Sequence, residues 1–289
     1  MSLEILADST ISGLALGGIY ALAASGLALV YGAAGVLNFA HGSLIMIGAY
    51  AAWFMFTLTG SPVASILLGF LIPFTLGVVL EKVLFSPFRK KPNETINIIF
   101  VSIAAALLLE IFSLVVFGPR RKSIPPLMTG FYNLGTFTIS AQKLAIITVS
   151  IAMLLLLWIF LTRTRLGIMI RAVSQDAESA QILGVDLKRI YTIVLAIGSG
   201  MAGISGFLLG SIFLIYPKMG ELQLIISIII ISMGGLGNVQ GTIISSFILS
   251  LIQSLTATYL SLGWSLPIML AAVCVIFIIR PTGIFKGRV

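Results

Sequence analysis

Side chains able to do chemistry are scarce in this sequence, and they fall in three short stretches. Val36 to Gly48 reads VLNFAHGSLIMIG, where Asn38, His41 and Ser43 interrupt apolar sequence and His41 is the only histidine. Polar groups inside a membrane need partners and face a bundle interior or a watery cavity, so one reading is a helix break lining a transport path. The other is a helix start near the inner surface, with Asn38 as its cap and His41 in water. Glu110 stands inside LLLEIFSLVVF (107–117). An ionised carboxylate there is costly unless paired or hydrated, which leaves a path or coupling role, a hydrogen bond to a neighbouring helix, or a span shifted toward the interface. Ser232 to Gly241 reads SMGGLGNVQG and holds Gly234, Gly235, Gly237 and Asn238. Such a stretch is either an unwound segment whose free backbone groups meet a polar solute or a tight turn between two helices.

These residues do not make an enzyme. One histidine, one cysteine and a single acid within the apolar stretches leave too little for acid–base or metal chemistry. Cys274 lies in an apolar run, so neither an internal disulfide nor a cysteine metal site is expected. No Gly-Lys pair occurs anywhere, which removes a phosphate loop and ATP hydrolysis by that route.

The elements that must position these side chains are membrane spans. Only 9% of the 289 residues are charged, 59% are apolar and the mean hydropathy is +1.16, which excludes a soluble globule, a secreted scaffold and a nucleic-acid binder. Between Asp8 and Glu81 72 consecutive residues carry no charge, and between Glu221 and Arg280 another 58. At about 20 residues per crossing each run holds about three helices. The fold class is all-α: one polytopic transmembrane bundle over residues 1–289, with spans at 9–31, 36–58, 62–80, 95–117, 144–162, 190–215, 222–236, 242–261 and 264–280. Nine is the count, within a range of eight to ten, and eight is the rival because 222–236 is short. The first residues, Met1 to Asp8, carry two acids and no base, the wrong flank for a cleavable signal, so the first span is expected to stay.

An odd count puts the termini on opposite sides. With the C-terminus inside, 12 of the 17 Lys and Arg are cytoplasmic, among them Lys82, Arg89, Lys90, Lys91, Lys286 and Arg288. Arg120, Arg121, Lys122, Lys143 and Lys218 are then outside, so the charge bias favours N-out, C-in and the net charge of +8 is a matter of topology. Trp53, Tyr216, Tyr259 and Trp264 fall near the outer interface, and Tyr31, Trp158 and Tyr191 near the inner one.

Two stripes of small residues point to close helix packing. Gly13, Gly17 and Ala21 continue Ser9 and precede Ser25 at every fourth position, and Ala202, Gly206 and Gly210 repeat the pattern in the sixth span. A subunit interface or a substrate path is the alternative use, and the likeness of the two stretches hints at an internal repeat. Between the fifth and sixth spans, residues 163–189 form a charged cytoplasmic segment. Ser174 is positioned to cap a short helix there, Asp176 and Glu178 suit its positive end, Gly184 stops it and Asp186 caps the next. Val173, Ala177, Ala180 and Gly184 share one small, apolar face, suited to docking on another protein or on the membrane surface; a solvated loop is the bland reading.

Taken together, GLALGGIYALAASGLALVYG (13–32), VLNFAHGSLIMIGAY (36–50), RAVSQDAESAQILGVDLKRI (171–190), GGLGNVQG (234–241) and RPTGIF (280–285) occur in an order that resembles the permease subunits of ATP-driven importers for branched-chain amino acids, the LivH-like family. The resemblance covers nearly the whole chain. It implies a second, related permease, two cytoplasmic ATP-binding subunits that carry ATP and magnesium, an external solute-binding protein and a lipid surround, with no cofactor on this chain and no nucleic acid. Glu178, Ser179, Ala180 and Gly184 look like the Glu-Ala-Ala then Gly coupling loop of bacterial importers, which gives Arg171, Asp176 and the residues after it a docking role. The downstream Leu-Pro of that loop is missing. Many members carry an acid where this chain has Ser43, so the solute extends to other amino acids, urea or amides.

The reading is therefore an importer permease subunit in a prokaryotic inner membrane, with Asn38, His41, Ser43, Glu110 and the Gly234 to Asn238 stretch along the path. The rival is an ion-coupled secondary transporter or channel for a small polar solute such as urea or an amide, with Glu110 as its ion site.

Overall fold

The computed structural model describes residues 3–89, 91–133, 138–280 and 283–285. Lys90, Lys286 and Arg288 of the charge argument, and Pro281 and Thr282 of the RPTGIF motif, lie outside them. Each of the nine apolar stretches forms a helix: α1 (Leu3–Ala34), α2 (His41–Thr59), α3 (Pro62–Val79), α4 (Glu94–Phe117), α5 (Ala141–Arg163), α8 (Leu187–Gly210), α9 (Met219–Gly234), α10 (Val239–Tyr259) and α11 (Leu262–Ile279). Two short helices, α6 (Arg165–Gln175) and α7 (Ala177–Ile182), occupy the charged segment before α8. Among the described residues eight helices are long and apolar enough to cross a membrane; α9, with 16 residues, is shorter. The apolar residues run all round these helices, as expected for a bundle whose solvent is lipid.

Small residues decide which helices sit at the centre. α1 and α8 are the most buried spans and run antiparallel: Gly26 and Gly198 meet backbone to backbone, and the Ser205 hydroxyl donates to the Ile19 carbonyl at 3.1 Å. The stripe at Gly13 and Gly17 packs on α10, where the Ser254 hydroxyl also donates to Ser9 O at 2.6 Å. Ala21 and Ala202 are fully buried, Gly206 packs on the backbone of α2 at Ile45 and Ala49, and Gly210 meets Ile215 and Ile124. Both stripes are therefore contacts within one chain. Lipid offers no hydrophobic drive for such contacts, and smooth surfaces gain dispersion energy by letting backbones approach.

We call the end of the bundle at Ala34 basal and the other apical. At the apical end Gly118 to Gly130 is irregular, as its prolines require, and a short hairpin, β1 (Phe131–Asn133) with β2 (Thr138–Ser140), departs from an all-helical chain. Lys122 pairs its backbone with Ile215 and places its ammonium 3.9 Å from the Trp53 ring centre. That pairing draws Ser211 to Lys218 off the end of α8, so the span expected to reach 215 stops at Gly210.

Two expectations for the basal segment need correction. Ser174 is inside α6, and the cap of α7 is Asp176, whose carboxylate accepts from the backbone N–H groups of Glu178 and Ser179. The helix starts after the residue that both satisfies its free N–H groups and suits its positive end. Asp186 caps α8 in the same way, and Gly184 turns the chain at a φ of +90°. Val173 and Ala180 are buried, while Gly184 is exposed and so lies off the packed face.

Candidate functional site

The stretch 35–40 after α1 folds back into the bundle. At 1.5 Å per residue, Ala23 lies about 16 Å above the basal end of α1. His41, the first residue of α2, donates from Nε2 to the Ala23 carbonyl at 2.8 Å and is fully buried. Helix α2 therefore begins near mid-depth, which removes the reading of a wet histidine at a membrane surface. Asn38 is also buried, and its Oδ1 accepts from Ala40 N at 3.0 Å, bracing the bend without capping α2. Two serines fasten the break to α4. The Ser102 hydroxyl accepts from Phe39 N at 3.1 Å, and the Ser43 hydroxyl donates to Ala106 O at 3.1 Å.

A second helix starts at the same level. Residues 211–218 descend from the apical end, and Gly220 in the first turn of α9 lies so close to Gly42 that a Cβ on either would overlap the carbonyl of the other. From there α9 runs toward the basal end, where Gly237 packs on Gly32. Helix α2 occupies the apical half of the bundle and α9 the basal half, and their N-termini abut. A long, glycine-rich helix followed by a helix starting at mid-depth occurs twice, as α1 with α2 and as α8 with α9.

Of the charges near this junction, Glu110 lies inside its span as expected, and Lys218 is the one that residue types alone misplaced. Lys218 was expected outside; it precedes α9 at the junction, with its ammonium 3.8 Å from Glu110 Oε1. Glu110 is one turn beyond Ala106, so the acid reaches the same level as the break. The Glu110 side chain is 20% exposed and that of Lys218 68%, and Glu221 in the first turn of α9 is exposed as well. Charges at this depth are costly against lipid and belong on a face turned to a hydrated path or another polypeptide. The first turns of α2 and α9 are buried against each other, so what this surface presents is charge of both signs, from Lys218, Glu221 and the partly exposed Glu110.

Gly234, Gly235, Gly237 and Asn238 are not part of this cluster. Gly237 touches α1 nine residues basal to Ala23, about 14 Å away along the axis. Asn238 caps α10 through Gly241 N at 2.9 Å, Gly235 and Gly237 have positive φ, and Gly234 packs on Gly241. They form the tight turn that was the second reading of this stretch.

At the basal end α7 offers a different surface. Ile182 and Leu183 are 85% and 84% exposed, next to Glu178, and Arg171 is exposed on α6. Sequence reasoning missed one basal cluster entirely: Arg89 forms a two-pronged pair with Glu81, through Nε to Oε1 at 2.7 Å and Nη2 to Oε2 at 2.9 Å. Its eight-residue spacing carries no periodic signal, because a π-helical turn (Leu80–Phe85) intervenes.

The family described as "Branched-chain amino acid transport system / permease component" matches residues 9–280. The chain is 29% identical over 292 residues to the high-affinity branched-chain amino acid transport system permease protein LivH of Salmonella typhimurium, covering 96% of this chain and 94% of that one. The corresponding permease protein BraD of Pseudomonas aeruginosa is 28% identical, with the same coverage of both chains. A solved structure, PsaBC from Streptococcus pneumoniae in complex with Fab, superposes with a TM-score of 0.53 at 14% identity over 97% of this chain and 94% of that one, which is a likeness of fold. This chain, a multi-pass membrane bundle, belongs to the branched-chain amino acid transport permease family.

Proposed function

We propose that the chain is the translocation subunit of an ATP-driven importer for branched-chain amino acids or close relatives. It pairs with a second permease, receives solute from an external binding protein and rests on two ATP-binding subunits that hold ATP and magnesium. The basal end faces the cytoplasm, giving an N-out, C-in chain, and residues 163–189 form the coupling segment. The observation that carries the reading is the junction of α2 and α9 beside Glu110 and Lys218, a charged surface at mid-depth. In a permease pair such a surface faces the path between subunits, where both charges stay hydrated.

The likeness to LivH and BraD favours this reading over the ion-coupled rival. So does the pairing of Glu110 with Lys218, since a carboxylate already matched by an ammonium is a poor free ion site. Docking of an ATPase on Ile182, Leu183 and Glu178 would bias two arrangements of the bundle, and alternation between them moves the junction from one side to the other. Reconstitution with the partner ATPases and binding protein tests the whole. Leucine uptake that needs ATP and the binding protein is expected; uptake by the lone chain under an ion gradient without nucleotide would replace this reading with the rival.

A further inference from the structure

We infer that Arg89 is a positioning residue that clamps the coupling end of α8 to the bases of α3 and α4, so that movement of α7 reaches the mid-depth junction; this rests on the importer reading above. The Arg89 guanidinium touches three elements. It grips Glu81 with two hydrogen bonds, lies 3.6 Å from Glu94 Oε1 at the start of α4, and stacks 4.0 Å from the ring centre of Tyr191 in α8. Its side chain is 11% exposed and that of Glu81 2%, so the pair is shielded from water and salt.

Two physical arguments separate this clamp from an ordinary stabilising pair. A buried ion pair contributes little net stability, because desolvation offsets the attraction, yet its planar two-pronged geometry fixes the orientation of what it joins. The widened turn at Leu80–Phe85 also serves the clamp, since it carries buried Glu81 within reach of Arg89. A π turn inside a helical segment is uncommon and tends to accompany functional positions.

The route from the docking surface is short. Asp186 ends the link after α7 and caps α8, and Tyr191 follows in the second turn. From Tyr191 the contact passes to Arg89, and from Arg89 to Glu94 and helix α4. Along α4 lie Ser102 and Ala106, which hold the break, and then Glu110. Asn38 of the break and the Glu81, Arg89 and Tyr191 side chains line one small cavity, so the clamp sits directly beneath the bend. Displacing α8 while the clamp holds carries α4 along; without it, α8 slides past α4.

The test compares Arg89→Lys, Tyr191→Leu and Tyr191→Phe in the complete reconstituted transporter, reading solute taken up per ATP hydrolysed. Lysine keeps the charge but loses the fork and the stacking plane, leucine removes the ring, and phenylalanine keeps it. Arg89→Lys and Tyr191→Leu are expected to assemble and hydrolyse ATP at close to the normal rate while uptake per ATP falls on the order of tenfold, a coupling loss of ordinary size. Tyr191→Phe should stay coupled. A normal ratio in Tyr191→Leu or Arg89→Lys would overturn the inference, as would parallel loss of assembly, hydrolysis and uptake in both, which marks a structural role. If lysine alone prevents assembly, the Tyr191 pair decides. Failure of the unaltered chain to bind the ATPases would instead overturn the importer reading.

Discussion

The imidazole of His41 donates to the main-chain oxygen of Ala23, and that bond sets the height at which α2 begins. Among the described residues its Nδ1 has no hydrogen-bond partner. His41→Ala is expected to lower stability by about 1–3 kcal/mol, from the lost bond and the cavity. His41→Gln, which keeps a donor, should recover part of it; thermal unfolding in detergent is the measurement.

Gly42 and Gly220 leave no room for a side chain at the junction. Gly220→Ala and Gly42→Ala force α2 and α9 apart and are each expected to cost about 1–3 kcal/mol, as overpacking does. Gly60→Ala, at an open position but with a φ of +65°, should cost less. Melting temperatures of the purified chain rank the three.

Exchanging the charges of Glu110 and Lys218 tests whether the pair acts as a unit. Lys218 is largely exposed, so the pair adds little to stability and neither Glu110→Gln nor Lys218→Met should shift the melting temperature much. Uptake is expected to fall in both single variants. The double exchange, Glu110→Lys with Lys218→Glu, should take up more solute than either of its single exchanges, whereas single defects that add in free energy in the double variant would show that the two residues act independently.

Ile182 and Leu183 bring apolar surface to the tip of α7 without packing against the bundle. Replacing both with serine should leave the melting temperature unchanged and abolish co-purification with the ATP-binding subunits. Gly184→Ala, strained at its φ of +90°, should weaken the same association and also cost about 1–2 kcal/mol.

Sidedness can be read by labelling. Cys274 is exposed on α11, so Cys274→Ser comes first. A cysteine introduced at Glu178 should then react only after the membrane is opened, and one at Arg120 in intact cells. The reverse pattern would invert the proposed topology and remove the docking role of α7.

The sequence by itself determined the class of molecule and most of its elements. Apolar runs of span length can only be helices in lipid, because each backbone polar group must be satisfied within its own segment, so every predicted span coincides with an observed helix, with the largest shifts at the starts of α1 and α2 and the end of α8. Small-residue stripes and the cap at Asp186 were legible because their causes are local: a missing Cβ or a side-chain oxygen beside free N–H groups; the cap of α7 was placed two residues early, at Ser174 instead of Asp176. Depth was not local. Nothing in Asn38 to Ser43 states that the chain folds back to the level of Ala23, and nothing in Tyr216 to Gly220 states that Lys218 descends to meet Glu110. Those positions follow from Gly42 meeting Gly220 and from Ser102 and Ser43 reaching α4, contacts between residues far apart in the chain. The Arg89 cluster was hidden for the same reason, since a cation counted at a membrane edge looks alike whether it is in water or clamped between two carboxylates and a ring. Residue type sets what a side chain needs, and only the packing of the whole bundle decides which partner meets that need.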